Sequence, residues 1–180
     1  MKKTAAAIIT AALLAGCHGM SRQSAMEEPL QATAALQPTK DSKAFGEATF
    51  EQIGDKLHVI VNAQGLTPNQ EHGFHIHEKG DCGNNAINAG GHFNPTGMIH
   101  GAPDAVSHHA GDFGNVTAEA TGEVHTRFTT HSISLKPNDA MNAVGHAVVL
   151  HGNPDDLTSQ PAGNAGPRIA CGIVQIMSGM

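Results

Sequence analysis

The sequence predicts an all-β domain, a Greek-key β-sandwich or barrel of about eight antiparallel strands carrying two long functional loops. Three observations point there. From Gln31 onward the chain divides into short runs rich in β-branched residues, set apart by turn residues, and no stretch repeats its apolar residues with a helical period. Trp and Tyr are absent and aromatic residues make up 3% of the chain, so the core must be layered from Val, Ile, Leu, Ala and six Phe. Glycine, at 21 residues, supplies the turns that such a stack of strands needs.

Residues 31–36 and 46–52 read as the first pair of strands. Ile53-Gly54-Asp55-Lys56 is a turn into Leu57-His58-Val59-Ile60-Val61. Further strands fall at residues 73–77, 115–120, 122–129, 132–135 and 146–151. Residues 80–112 and 152–169 do not alternate and read as the two loops. Loops of that length in a compact domain serve function as a rule, because contacts such as a disulfide or a metal must offset the entropy of ordering them.

The first residues are an address. Met1-Lys2-Lys3, an apolar stretch over residues 4–14 and then Ala15-Gly16-Cys17 form a secretory signal too short to span a bilayer. Its ending is similar to the lipobox at which bacterial lipoproteins are cleaved and acylated on cysteine. The expected organisation is a lipoprotein signal peptide over 1–16, a flexible tether over 17–30 starting at the lipidated Cys17, and one domain over 31–180. An ordinary secretory signal with an incidental Cys17 is the alternative. The expected place is the cell envelope, facing the periplasm and anchored to a membrane through lipid on the N-terminus. His18 after Cys17, in place of Asp, favours the outer membrane under the sorting rule of enteric bacteria. Removing the leader with Lys2 and Lys3 takes the formal charge from −6 to −8, which argues against nucleic acid as a partner.

Export leaves Cys82 and Cys171 in an oxidising compartment, where they should pair; two free buried thiols are the alternative. The pairing would close a loop of roughly 90 residues, worth about 4.5 kcal/mol if the disulfide acts through chain entropy.

Thirteen His are the anomaly of the composition, since buried imidazole needs a hydrogen-bond partner or a metal. His75 and His77 are two apart on a predicted strand, so they share a face and can share an ion. His92, His100, His109 with Asp112, and His151 follow. Imidazole suits copper and zinc, whereas a carboxylate joining three imidazoles favours a closed zinc site. The set splits accordingly. His75, His77 and His151 lie on or beside the sandwich wall, His100, His109 and Asp112 lie in one loop, and His92 sits between the groups.

Gly-Phe-His-Ile-His-Glu at 73–78, Gly-Gly-His-Phe-Asn-Pro at 90–95, His-Ala-Gly-Asp-Phe-Gly-Asn at 109–115 and Gly-Asn-Ala-Gly-Pro-Arg-Ile-Ala-Cys-Gly at 163–172 are similar to the signatures of the copper,zinc superoxide dismutases. The resemblance extends from residue 31 to residue 177. It implies an oxidoreductase that dismutes superoxide to dioxygen and hydrogen peroxide, with one copper and one zinc per chain. Carried over position by position, it implies copper ligation by His75, His77, His92 and His151. His92 would bridge to a zinc completed by His100, His109 and Asp112, and would take part in catalysis by releasing copper and taking up a proton. Asp155 would orient ligands of both metals. Arg168, the second catalytic residue, would stand over the copper channel and orient the anion; a surface ion pair with Asp156 is the alternative. Cys82 and Cys171 match the disulfide of the family.

A copper carrier is the competing reading, but carriage needs neither the His92 bridge, nor the zinc set, nor Arg168. A homodimer is favoured over a monomer. His18, His58, His72, His108, His125, His131 and His146 have no counterpart in the pattern and read as surface or strand residues. One departure stands out. The segment Leu157-Thr158-Ser159-Gln160-Pro161-Ala162 is short and uncharged, where many relatives carry a longer loop with several acids and a Lys-Thr pair.

Overall fold

The structure is a computed structural model that describes residues 29–177. The predicted signal peptide, Cys17 and most of the predicted tether lie outside the described residues.

Alternation of buried and more exposed side chains marks a meander of β1 (Leu30–Pro38), β2 (Phe45–Ile53) and β3 (Lys56–Gln64). Ala32, Ala34, Leu36, Ala48, Phe50, Leu57, Val59 and Val61 form its buried face. The β2–β3 hairpin closes from Ile53 to Lys56 with Gly54 at φ 63°, the left-handed conformation demanded of the leading residue when a two-residue hairpin starts with glycine. The remaining strands are β4 (Glu71–His77), β5 (Asp112–Thr117), β6 (Val124–Thr130), β7 (Ala147–His151), β8 (Arg168–Ile173) and the two-residue β9 (Gln175–Ile176).

All pairings between these strands are antiparallel, in the order β5-β4-β7-β8-β1-β2-β3-β6, with β9 on β1. The pairs β3–β6 and β4–β7 skip neighbours in sequence, which is the Greek-key crossover the sequence predicts. β1 belongs to both halves. Leu30–Leu36 pair with β2, and Gln37 and Pro38 pair with Cys171 and Ala170 of β8. At this far end Thr39 Oγ1 donates to the Arg168 carbonyl at 2.7 Å.

β4 and β7 are buried on both faces. Phe74, Ile76, Val148 and Leu150 point into the main core, while Ala147 and Val149 pack with Ala86, Ala89 and Cys171 under the loop that follows β4. The Cys82–Cys171 disulfide pins that loop down across a separation of 89 residues.

Several expected strands shift. The strand placed at 115–120 runs from Asp112 to Thr117, because pairing with β4 begins at Asp112 opposite His75. Asp112 therefore opens a strand and is not a loop residue. Residues 132–135 form only a single bridge between Ser134 and Asn142; Ile133 and Leu135 are buried as a plug, and the Leu135 N–H is taken by Gln52 Oε1 at 2.9 Å. The loop expected over 152–169 ends early, since Arg168 and Ile169 open β8. The loop after β4 contains one 3-10 turn, Ile87–Ala89.

Candidate metal centre

β4 delivers His75 and His77 to the face opposite Phe74 and Ile76, as their spacing of two requires. His92 is brought against them by an isolated bridge to His77, and His151 ends the neighbouring strand β7. The imidazole centroids of His75 and His92 are 4.1 Å apart, those of His77 and His92 5.0 Å, and those of His75 and His151 4.9 Å. On the other side of His92, the rings of His100 and His109 lie 5.3 and 5.5 Å away. Two groups of four donors result: His75, His77, His92 and His151, and His92, His100, His109 and Asp112. Within each, one donor atom per residue lies within 4.8 Å of the others, and all are buried. His92 alone belongs to both.

Hydrogen bonds decide which nitrogen of each ring remains free. His77 Nδ1–H donates to the Gly90 carbonyl at 3.0 Å and His151 Nδ1–H to the Gly166 carbonyl at 3.4 Å, so both present Nε2. His75 and His100 are held the other way round. Their Nε2 atoms meet the two oxygens of Asp155 at 2.8 and 2.9 Å, which leaves Nδ1. The carboxylate of Asp155 thus ties one ring of each group together. His92 Nδ1 lies 2.6 Å from Asp112 Oδ1, leaving Nε2 without a hydrogen-bond partner.

Beside the first group opens a cleft of about 230 Å³, lined by His77, His92, His151, Arg168, Gln160 and residues 161–162 and 164–166. The Arg168 guanidinium donates to the carbonyls of Ala86 and, at 2.5 and 3.5 Å, of Gly90 and Ile87. The ion pair with Asp156 weighed from the sequence does not form. Asp156 instead accepts from the backbone of Thr158 and Ser159 and from Asn164.

The profile of the copper/zinc superoxide dismutase family matches residues 44–174. The chain belongs to that family. An extracellular copper-zinc superoxide dismutase of Haemonchus contortus is 40% identical over 149 residues, covering 79% of this chain and 80% of that one. A copper-zinc superoxide dismutase of Aquifex aeolicus is 39% identical over 152 residues, covering 82% and 88%. The crystal structure of the clock protein EA4 superposes with a TM-score of 0.76 at 37% identity, over 84% of this chain and 97% of that one. As a copper/zinc superoxide dismutase, the chain is an oxidoreductase with one copper and one zinc.

The donor atoms fit those metals. His75 Nδ1, His92 Nε2, His100 Nδ1 and His109 Nδ1 are buried with no hydrogen-bond partner, an unfavourable arrangement for the protein alone. His100 Nδ1 and His109 Nδ1 come within 3.1 and 3.2 Å of Asp112 oxygens without hydrogen-bonding geometry. Lone pairs converging on a common point are what a cation satisfies. Protonation agrees. Burial pushes His75 down to about 4 despite its bond to Asp155, and burial, helped by neighbouring imidazoles, pushes His77 and His151 well below the usual histidine range. These rings are neutral at pH 7, the form that ligates metal. Burial opposes charge at His100 too, but the Asp112 and Asp155 carboxylates outweigh it and raise that ring to about 9. Burial would raise Asp112 and Asp155, yet the close His100 ring, the His92 bond and the His109 N–H hold Asp112, and bonds from His100 and His75 hold Asp155, well below the usual carboxylate range.

Three residues that carry no role in the sequence reading support the site. His72, read as a surface or strand residue, is 1% exposed on β4 and bonds the His151 carbonyl through Nδ1 at 2.9 Å. Asn115 holds Asp155 by both backbone groups, donating to its carbonyl at 2.9 Å and accepting from its N–H at 2.7 Å. Gly73 must lack a side chain, since a Cβ would come within 2.8 Å of Ala165 and 3.0 Å of the His75 ring. The burial of His72 was detectable only as its place two residues before a core Phe.

Proposed function

We propose that this chain dismutes superoxide in the bacterial cell envelope, with copper held by His75, His77, His92 and His151 and zinc by His92, His100, His109 and Asp112. The observation that carries this reading is the double membership of His92 in two buried donor groups. Copper supplies the one-electron oxidation and reduction between which dismutation alternates, and zinc, without redox chemistry, fixes geometry.

The residues perform the rest. Gly90, Gly166 and Asp155 lock the tautomers of His77, His151 and His75, so the donors are arranged before any ion arrives. The Arg168 guanidinium, on a residue lining the cleft, attracts and orients the superoxide anion although the chain as a whole is negative. His92 Nε2 is the imidazole nitrogen in the cleft wall that no protein group occupies. It holds a proton when free and passes it to the reduced substrate, and a second proton comes from solvent before hydrogen peroxide leaves.

The disulfide supports an exported protein, because such bonds persist where thiols are oxidised. Residues 1–16 then serve as the signal peptide, Cys17 as the lipidation site, 17–30 as the tether and 31–180 as the catalytic domain, at the outer membrane. Stopped-flow measurement of superoxide loss by the chain loaded with copper and zinc tests the reading. His92→Ala should lose about a hundredfold in rate constant. An unchanged rate would overturn the bridge.

A further inference from the structure

We propose that Gln160 is a positioning residue for the zinc ligand His100, clamping its backbone to the loop that forms the wall of the cleft. This rests on the metal assignment above. Gln160 Oε1 accepts from the His100 N–H at 2.9 Å, and Gln160 Nε2 donates to the His100 carbonyl at 2.8 Å and to the Thr158 carbonyl at 3.2 Å. One side-chain amide therefore satisfies both backbone groups of a metal-binding residue across 60 positions of sequence.

His100 needs such a partner. It lies in an irregular stretch, with no ladder to fix its peptide groups, and it is 2% exposed. Its ring is constrained from one side by Asp155, whose own backbone is held by Asn115 in the same two-bond fashion. Gln160 supplies the matching hold on the other member of the Asp155–His100 pair. Together the two amides fix both ends of the 2.9 Å contact that joins the metal groups. Gln160 also lines the cleft beside Arg168, so the segment that bears no charge to guide the anion has a mechanical task.

The test uses the full chain loaded with copper and zinc. Gln160→Ala removes the two bonds to His100 and the one to Thr158 from an exposed residue and leaves the core intact. Zinc release into excess chelator should become about tenfold faster, as expected when a group that orients a metal ligand is lost. Copper release and the unfolding midpoint of the metal-free protein should not change. With Co(II) in place of zinc, the visible bands should weaken as the ligand geometry loosens. Gln160→Asn, one methylene short, should fail to restore slow release. Zinc release at the wild-type rate overturns the clamp. So does equal acceleration for both metals with a lowered metal-free midpoint, which marks ordinary loss of stability. A wild-type chain that binds no zinc overturns the metal assignment and the clamp with it, whereas a zinc-binding wild type with an indifferent Gln160→Ala overturns the clamp alone.

Discussion

Substituting Gly163 by alanine should destabilise the metal-loaded protein by far more than one methyl group ordinarily does. Gly163 is buried at φ 62°, and a Cβ there would lie 1.7 Å from Asp155 Oδ1, 2.5 Å from its Cγ and 2.7 Å from His100 Nε2. The carboxylate cannot step aside freely, because Asn115 holds the Asp155 backbone and two imidazoles hold its oxygens. The left-handed backbone alone costs an alanine about 1 kcal/mol. Losing one buried charge-assisted bond of Asp155 adds about 1.5–3 kcal/mol. The sum, about 2.5–4 kcal/mol, is read by denaturant unfolding of the loaded protein with metal content measured in parallel. Zinc should be the metal lost, since His100 is the ring the new methyl meets. A loss below about 1 kcal/mol with zinc retained would show that Asp155 can rotate away without consequence, and would refute its role as the tie between the two metal groups.

Four other outcomes are expected. Cys82→Ser should lower stability by about 4.5 kcal/mol for a loop of this length. It should also slow superoxide turnover, because the Ala86 and Gly90 carbonyls that seat Arg168 lie in the pinned loop; full activity in the variant would contradict this. Arg168→Ala should reduce the rate constant for superoxide about tenfold or more with both metals retained, and an unchanged constant would remove its role in guiding the anion. The rate constant should depend only weakly on ionic strength, because residues 157–162 carry no charge, so a steep fall with added salt would count against that. The metal-free protein should lose stability as pH falls from 6.5 to about 4: His75 binds its proton only near 4 when folded but near 6.5 when unfolded, so the unfolded chain takes up protons first. Denaturant unfolding across that window checks it, and a flat profile would disprove it.

His75 and His77 were legible because a spacing of two on a strand has one geometric meaning, and the β1–β3 meander was legible because its faces alternate cleanly. β8 was not. It is covered on both sides, so Ile169-Ala170-Cys171-Gly172 shows no alternation, and the motif there hid the strand. β5 was misplaced by three residues because Asp112 is recruited into the ladder by its partner His75, a contact no local pattern encodes. The same holds for His72, Asn115, Gln160 and Gly163. Each acts on a peptide group or carboxylate 40 to 79 residues away, except Gly163, whose neighbour Asp155 is close in sequence but whose tolerance for a side chain depends on the fold. The residues of the two donor groups were readable as a family pattern; the scaffold that chooses their tautomers was not.

β1 also acts as a ruler. Its nine residues put about 26 Å between the point where the chain enters the barrel and the peptide beside Arg168. The strand therefore sets the end of the barrel that carries the cleft apart from the end at which the described chain begins.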